Sequence, residues 1–254
     1  MLKALLHTVS PNLNECVLTH LKRTPIDIDL ARKQHRAYRD FLKKHHIDVV
    51  ELNENNELAD SVFIEDTAII FHEVAIIAQM GVASRRREIP PVEAQLIKDR
   101  RINKIQAPAI VEGGDVLQIG NKVFVGHSKR TNVAGINSLT TILSRFNYEV
   151  VPVSVKNALH LKTACTAVNN RTLLVNPHWV DLRQFAEFNV ITIAEDEPWA
   201  ANALRIGDTV CMHKGFPHTI QIMEDLGFKV ETLDISEFIK AEAGLTCLSL
   251  LYDV

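Results

Sequence analysis

The stretch Ala203-Leu204-Arg205-Ile206-Gly207-Asp208-Thr209-Val210-Cys211-Met212 reads as two short β-runs around a two-residue turn. Gly207 and Asp208 tolerate positive φ, which tight hairpin turns require. A candidate helix, Thr219 to Leu226, follows, and then a third β-rich run, Phe228-Lys229-Val230-Glu231-Thr232-Leu233. Two strands, a helix and a further strand make one ββαβ unit.

The same unit recurs three times upstream. Thr67 to Phe71 and Val74 to Ala78 flank His72-Glu73, followed by Val92 to Ile97 and Ile102 to Ile105. Val116 to Ile119 and Val123 to Val125 flank Gly120-Asn121, followed by Thr131 to Phe146 and Tyr148 to Val153. Cys165 to Val168 and Thr172 to Val175 flank Asn169-Asn170, followed by Leu182 to Phe185 and Val190 to Ile193. Val150, Val190 and Val230 recur at a constant spacing of 40 residues, which marks an array of similar units. A fifth helix and strand, Leu30 to Phe41 and Val49 to Leu52, open the chain without a hairpin. The two missing strands are Ala4 to His7 and Leu248 to Leu251, at opposite ends of the sequence. Their pairing closes five ββαβ units into a ring with pseudo-five-fold symmetry and no open sheet edge. The pattern predicts a single domain over 1–254. An ordinary α/β sheet with internal hairpins is the alternative that periodicity alone leaves open.

Composition narrows the function. A chain of 254 residues has room for a substantial core. A formal charge of −3 gives no electrostatic footprint for nucleic acid or an anionic membrane. No apolar run has the length of a membrane-spanning helix, and the N-terminus lacks the apolar core of a signal peptide. Cys16, Cys165, Cys211 and Cys247 lie far apart without a CxxC or zinc-type spacing, so reduced thiols in the cytoplasm and no metal are expected.

Chemistry-bearing residues fall at one recurrent point of the repeat: Glu65-Asp66, Glu112, His160 and Cys247. A ring brings these to its centre. Cysteine supplies a nucleophile, histidine a proton carrier near neutral pH, and a carboxylate an orienting partner for the imidazole. Asp60, Glu65 and Asp66 suit a planar cation, whose N–H groups they match. Each type also has an ordinary use: a small buried hydrophobe, a strand-end histidine, a solvated acidic turn. Cys165 and Cys211 fit the hydrophobe better than Cys247, because they stand within apolar strand patterns. Arg85 lies four positions after Gly81, and Arg130 four after Gly126, at equivalent points of neighbouring units. Two guanidinium groups so placed suit a carboxylate.

The blocks Asp60-Ser61-Val62-Phe63-Ile64-Glu65-Asp66, Glu112-Gly113-Gly114-Asp115, Ser128-Lys129-Arg130-Thr131-Asn132, Leu159-His160-Leu161-Lys162-Thr163, Ala200-Ala201-Asn202 and Gly244-Leu245-Thr246-Cys247-Leu248-Ser249-Leu250 carry a resemblance. Taken in order, the chain resembles the dimethylarginine dimethylaminohydrolases of the pentein, or amidinotransferase, superfamily. The resemblance implies a five-bladed α/β propeller. It implies hydrolysis of free Nω-methylated arginines to citrulline and a methylamine, through a covalent cysteine adduct and without a cofactor. By similarity Cys247 is the nucleophile, His160 the proton donor and Glu112 its support. Asp60, Phe63, Glu65 and Asp66 bind substrate, Leu18 lies in a loop that covers it, and Arg85 and Arg130 hold its α-carboxylate. By similarity Ala241, six positions before the nucleophile, supplies an apolar contact to substrate, where relatives often carry a larger aliphatic residue. Asn202 occupies a comparable repeat position, with a structural hydrogen bond as its expected role. A homodimer is compatible with the family. The competing readings are an arginine or agmatine deiminase and a non-catalytic pentein that binds a macromolecular surface.

Overall fold

A computed structural model describes residues 1–254. Strand β1 (Leu2–His7) leads to helix α1 (Ile28–Lys44) and β2 (Asp48–Leu52). The second unit holds β3 (Ala68–Ile70), β4 (Ala75–Ile77), α2 (Ile89–Leu96) and β5 (Ile102–Lys104). The third holds β6 (Val116–Ile119), β7 (Lys122–His127), α3 (Val133–Leu143) and β8 (Glu149–Ser154). The fourth opens with α4 (Leu161–Ala164) and holds β9 (Cys165–Asn169), β10 (Thr172–Val175) and β11 (Asn189–Thr192). The fifth holds β12 (Leu204–Ile206), β13 (Thr209–His213), α5 (Pro217–Asp225) and β14 (Lys229–Leu233). A short α6 (Ser236–Ile239) and β15 (Leu250–Asp253) complete the chain.

These strands form five three-stranded sheets, each an antiparallel pair extended by a parallel third strand. Gly120 and Gly207 take φ of +61° and +58° at the first central position of their turns, where a side chain would be strained. Helix α1 begins at Asp27, whose carboxylate accepts the Leu30 N–H at 3.0 Å. Asn132 caps α3 likewise, accepting from the Gly135 N–H at 2.7 Å. The 40-residue spacing has a structural meaning. Val150, Val190 and Val230 lie on equivalent third strands, opposite Val123, Leu173 and Val210.

Strand β15 pairs antiparallel with β1, placing Leu5 opposite Leu250 and Ala4 opposite Leu251. The buried apolar residues gather into five clusters, each shared by two neighbouring units. An open row of five units has only four such seams. The fifth, where Leu6, Tyr38 and Phe41 of the first unit meet Leu204, Cys211 and Phe238, closes the ring. The five-unit α/β propeller is therefore the observed fold.

Three local expectations shift. Leu182–Phe185 forms only a 3-10 turn. The connection from β10 to β11 spends Asn176 and Pro177 on a turn and buries Trp179 and Val180, which leaves too few residues for an α-helix. The third hairpin turns at Asn170-Arg171, because Asn169 pairs with Thr172. Leu248 and Ser249 lie outside the last strand, since Thr246–Leu248 is a 3-10 turn.

Candidate active site

The five inner strands β3, β6, β9, β12 and β15 surround the axis and line an axial cavity of ≈ 330 Å³. The segments entering these strands are short helical turns in four units: Ile64–Thr67, Gly113–Asp115, Leu161–Ala164 and Thr246–Leu248. Glu65, Asp66, Glu112, His160 and Cys247 sit in these turns or at their first flanking residue. Equivalent positions in a ring are neighbours in space, which is why residues 182 positions apart in the chain come together.

His160 is buried, and its Nε2 lies 2.9 Å from Glu112 Oε2 and 3.7 Å from Asp66 Oδ1. Burial alone would lower its pKa. The Asp66 charge, the Glu112 hydrogen bond and the Asp115 charge overcome burial and raise it to about 9. The imidazole is therefore protonated at neutral pH. Asp115 also anchors the histidine segment: it accepts the Leu161 N–H at 2.9 Å and the Ser128 hydroxyl at 2.6 Å. Gly113 and Gly114 leave no room for side chains. A Cβ on Gly113 would stand 2.0 Å from the Glu65 carbonyl oxygen, and one on Gly114 2.7 Å from His160 Nδ1.

Cys247 is partly buried, and its Sγ accepts the Gly244 N–H at 3.4 Å. Burial and the charges of Glu65 and Asp66 push its pKa well above the usual thiol value. Asn202 holds the turn that carries it. Its Nδ2 donates to Thr246 Oγ1 at 3.0 Å and to the Lys162 carbonyl at 2.9 Å, and its Oδ1 accepts the Thr246 N–H at 3.2 Å.

A second cavity has a volume of ≈ 20 Å³. Its wall brings Cys247, His160, Asp66, Asp60, Phe63, Arg85, Arg130 and Ala241 together. Glu112 lies behind His160, fully buried, and also accepts the Gly81 N–H at 3.1 Å. Two expected contacts fall elsewhere. Glu65 is off this wall because Lys162 Nζ, 2.5 Å away, and Thr246 Oγ1, 2.8 Å away, take its two oxygens on the axial side of the Cys247 turn. Leu18 is in the covering loop but packs against the apolar seam of the first and fifth units, and its neighbour Val17 reaches the wall.

The two arginines are not equivalent. Arg85 donates from Nη1 to Asp66 at 2.7 Å, from Nη2 to Glu88 at 3.0 Å and to the Phe63 carbonyl at 2.9 Å. Burial pushes Glu88 up to about 7 in spite of this pairing. Arg130 makes two longer contacts, to Glu112 at 3.3 Å and Thr19 Oγ1 at 3.4 Å, so it retains more donor capacity. Asp60 accepts the Val17 N–H at 3.1 Å, with Arg85 and Arg130 as the cations acting on it, and burial raises its pKa. It stands at the arginine end of the cavity, under the loop. Asp66, Glu112 and His160 bring ligand atoms within 4.8 Å of one another, the one grouping whose spacing suits a metal. The imidazolium and two arginines already meet their charge.

Sequence reasoning did not single out Glu88, Lys162 or Glu242. Lys162 stands in the His160 block, and Glu88 lies three residues from Arg85, so both had a local signal. Glu242 lay beside Ala241 without any pattern of its own.

Fold and site together define a pentein with a cysteine, a protonated histidine, carboxylates and two arginines around one small cavity. The family model "N,N dimethylarginine dimethylhydrolase, eukaryotic" matches residues 13–198. The N(G),N(G)-dimethylarginine dimethylaminohydrolase of Streptomyces coelicolor is 35% identical, covering 99% of this chain and 98% of the relative. That of Pseudomonas aeruginosa is 33% identical, covering 89% of this chain and 90% of the relative. A solved structure of the Pseudomonas aeruginosa protein, a cysteine-to-serine mutant complexed with citrulline, superposes with a TM-score of 0.93 at 31% identity, covering 99% of this chain and 100% of that one. The N-terminal domain of ArgZ, a cyanobacterial arginine dihydrolase, superposes with a TM-score of 0.89 at 18% identity and shares the fold. The chain belongs to the dimethylarginine dimethylaminohydrolase family.

Proposed function

We propose that the protein hydrolyses free Nω-methylated L-arginines to L-citrulline and the corresponding methylamine. It is a hydrolase by family. The observation that carries the substrate reading is the cavity wall, where Cys247, His160 and Asp66 share one small chamber with Asp60, Arg85 and Arg130. The first three suit a guanidinium. The last three suit the zwitterionic end of an amino acid, with Arg130 as the principal donor to its carboxylate and Asp60 as the partner of its ammonium. This moves Asp60 away from the guanidinium end, because its cationic neighbours are the arginines. Glu65 supports the nucleophile turn through Thr246 in place of touching substrate.

The steps follow from the protonation states. The resting pair is thiol and imidazolium. A guanidinium cation against Cys247 and Asp66 offsets the two carboxylate charges and favours the thiolate, the thiol proton being lost to water. The thiolate attacks the guanidinium carbon and forms a C–S bond. The C–N bond to the methylated nitrogen breaks, and the departing amine takes the His160 proton. The neutral imidazole then accepts a proton from water, whose oxygen attacks the same carbon. The C–S bond breaks and citrulline leaves. No cofactor enters these steps. The four unpaired cysteines suit a reducing compartment, and we place the protein in the cytoplasm. No helix is long and apolar enough to cross a membrane.

The test is turnover of asymmetric dimethylarginine, monomethylarginine, arginine and agmatine by purified protein, with the released amine identified. Dimethylamine and citrulline from dimethylarginine are expected, with Cys247→Ser inactive yet folded. Ammonia from arginine as the dominant product would transfer the reading to a deiminase.

A further inference from the structure

We propose that Glu242 is the latch of the loop covering the site, and that it ties closure of this loop to the seating of the Cys247 thiol. The inference rests on the hydrolase reading only for the identity of what enters the cavity.

The loop runs over residues 17–25 without regular structure, between the buried Cys16 and Ile26. Its base is fixed. Asn14 accepts the Ile26 N–H at 2.7 Å, and Arg23 Nη2 donates to the Cys16 carbonyl at 2.6 Å. Its tip is held differently. The successive amides of Thr19, His20 and Leu21 all donate to the Glu242 carboxylate, with Thr19 at 3.0 Å. Three consecutive N–H groups around one anion make a concave nest, and charge-assisted hydrogen bonds are the stronger kind. Glu242 is 3% exposed and holds a left-handed φ of 61°, sparsely populated for a residue with a side chain.

Besides Lys240 Nζ, which donates to the Pro25 carbonyl at 3.1 Å, the loop has two ties to the cavity wall: the Val17 N–H to Asp60, and Arg130 to Thr19 Oγ1. Both side chains have work at the zwitterionic end of a ligand. The hydrogen bonds of the Glu242 carboxylate are to loop amides alone. Glu242 also lines the cavity, so its carboxylate holds the loop directly over the site.

Opening is obligatory. With the loop closed the cavity has a volume of ≈ 20 Å³, about the room of one water and far less than an amino acid needs. Glu242 must therefore release residues 19–21 in every cycle. Two residues further on, the Gly244 N–H donates to Cys247 Sγ at 3.4 Å. Residues 242–244 are thus held by the loop at one end and hold the thiol at the other. Releasing the first contact loosens the second.

The test labels full-length protein with iodoacetamide at one pH and follows each cysteine by mass spectrometry. Glu242→Gln keeps the side chain's size and removes its charge. Cys247 is expected to label at least about tenfold faster in the variant, while Cys165 and Cys211, both fully buried, stay protected as in wild type. An unchanged Cys247 rate with Cys165 and Cys211 protected would overturn the latch. Should the variant fail to fold, amide hydrogen exchange in the wild type decides. The amides of Thr19, His20 and Leu21 should exchange together and more slowly than exposed Lys22 and Thr24. Rates equal to those of free loop amides would refute the proposal. Neither readout involves turnover, so a protein that labels as expected yet releases no citrulline would retain the latch and lose the hydrolase reading.

Discussion

At Cys247, burial and the charges of Glu65 and Asp66 oppose ionisation, while the Gly244 N–H and Lys162 favour it. At His160 the balance is reversed, with carboxylates outweighing burial and raising the pKa from 6.5 to about 9. A basic group whose pKa rises on folding adds stability that is fully present below the unfolded value of 6.5. That stability fades as pH climbs through about 9. Urea melts at pH 6 and pH 10 should show wild type losing on the order of 1–3 kcal/mol relative to His160→Gln; equal losses in both would remove His160 as the source. The arginines make a second residue-scale prediction. Agmatine keeps the guanidinium and lacks the carboxylate, so Arg130→Ala should depress kcat/KM for dimethylarginine far more than for agmatine. An unchanged ratio would mean that Arg130 does not read the carboxylate. Arg85→Ala should instead unfold easily. It leaves Asp66 and Glu88 buried without their shared cation, a loss of about 3–5 kcal/mol. The midpoint of thermal unfolding separates the two variants.

The turns that enter the inner strands show why glycine stands beside Glu112. The Gly114 backbone passes so close that a Cβ would sit 2.7 Å from His160 Nδ1 and 2.8 Å from Asp66 Oδ1. Gly114→Ala must displace one of these groups, and a misplacement near 1 Å costs about 100-fold in rate. The expected result is a large fall in kcat with the secondary structure retained by circular dichroism. A variant of wild-type kcat would show that the His160 seat is not fixed by this contact. At this scale the sequence was most legible. Short β-rich runs around Gly120 and Gly207 marked the hairpins, and blocks at one repeat position marked the turns. The helix predicted at Leu182–Phe185 failed because its apolar residues serve a seam between units in a connection too short for α-helix. The pairs Glu65–Lys162 and Glu242 with residues 19–21 join segments 97 or more positions apart. No local period records them, and only the closed ring makes them contacts.

The ring depends on the ends of the chain. Strand β15 is the inner strand of the first unit, supplied from the far terminus, and four residue pairs join it to β1. Leu250 and Tyr252 fill the seam between the first and second units, and the Tyr252 hydroxyl donates to Asp99 at 2.9 Å. Ser249 is hydrogen-bonded to the buried Tyr38 of α1 at 2.7 Å. Removing residues 249–254 deletes all of this. Burial of Leu250 and Tyr252 alone contributes about 2 kcal/mol each, and the lost strand pairing adds to it. The sum approaches the whole stability of a typical domain, about 5–15 kcal/mol. The inner edge of β1 would then face solvent, and the Cys247 turn would lose the strand that follows it. The truncated chain should therefore lack a cooperative thermal transition, and iodoacetamide should reach Cys165 and Cys211 as well as Cys247. Deleting Val254 alone, a residue 48% exposed that is joined only to Met1 by two backbone hydrogen bonds, is the control and should leave a cooperative melt near the full-length midpoint. A 248-residue product that melts cooperatively near the full-length midpoint would show that the four hairpin-bearing units hold themselves together, and that pairing of the termini is dispensable for the fold.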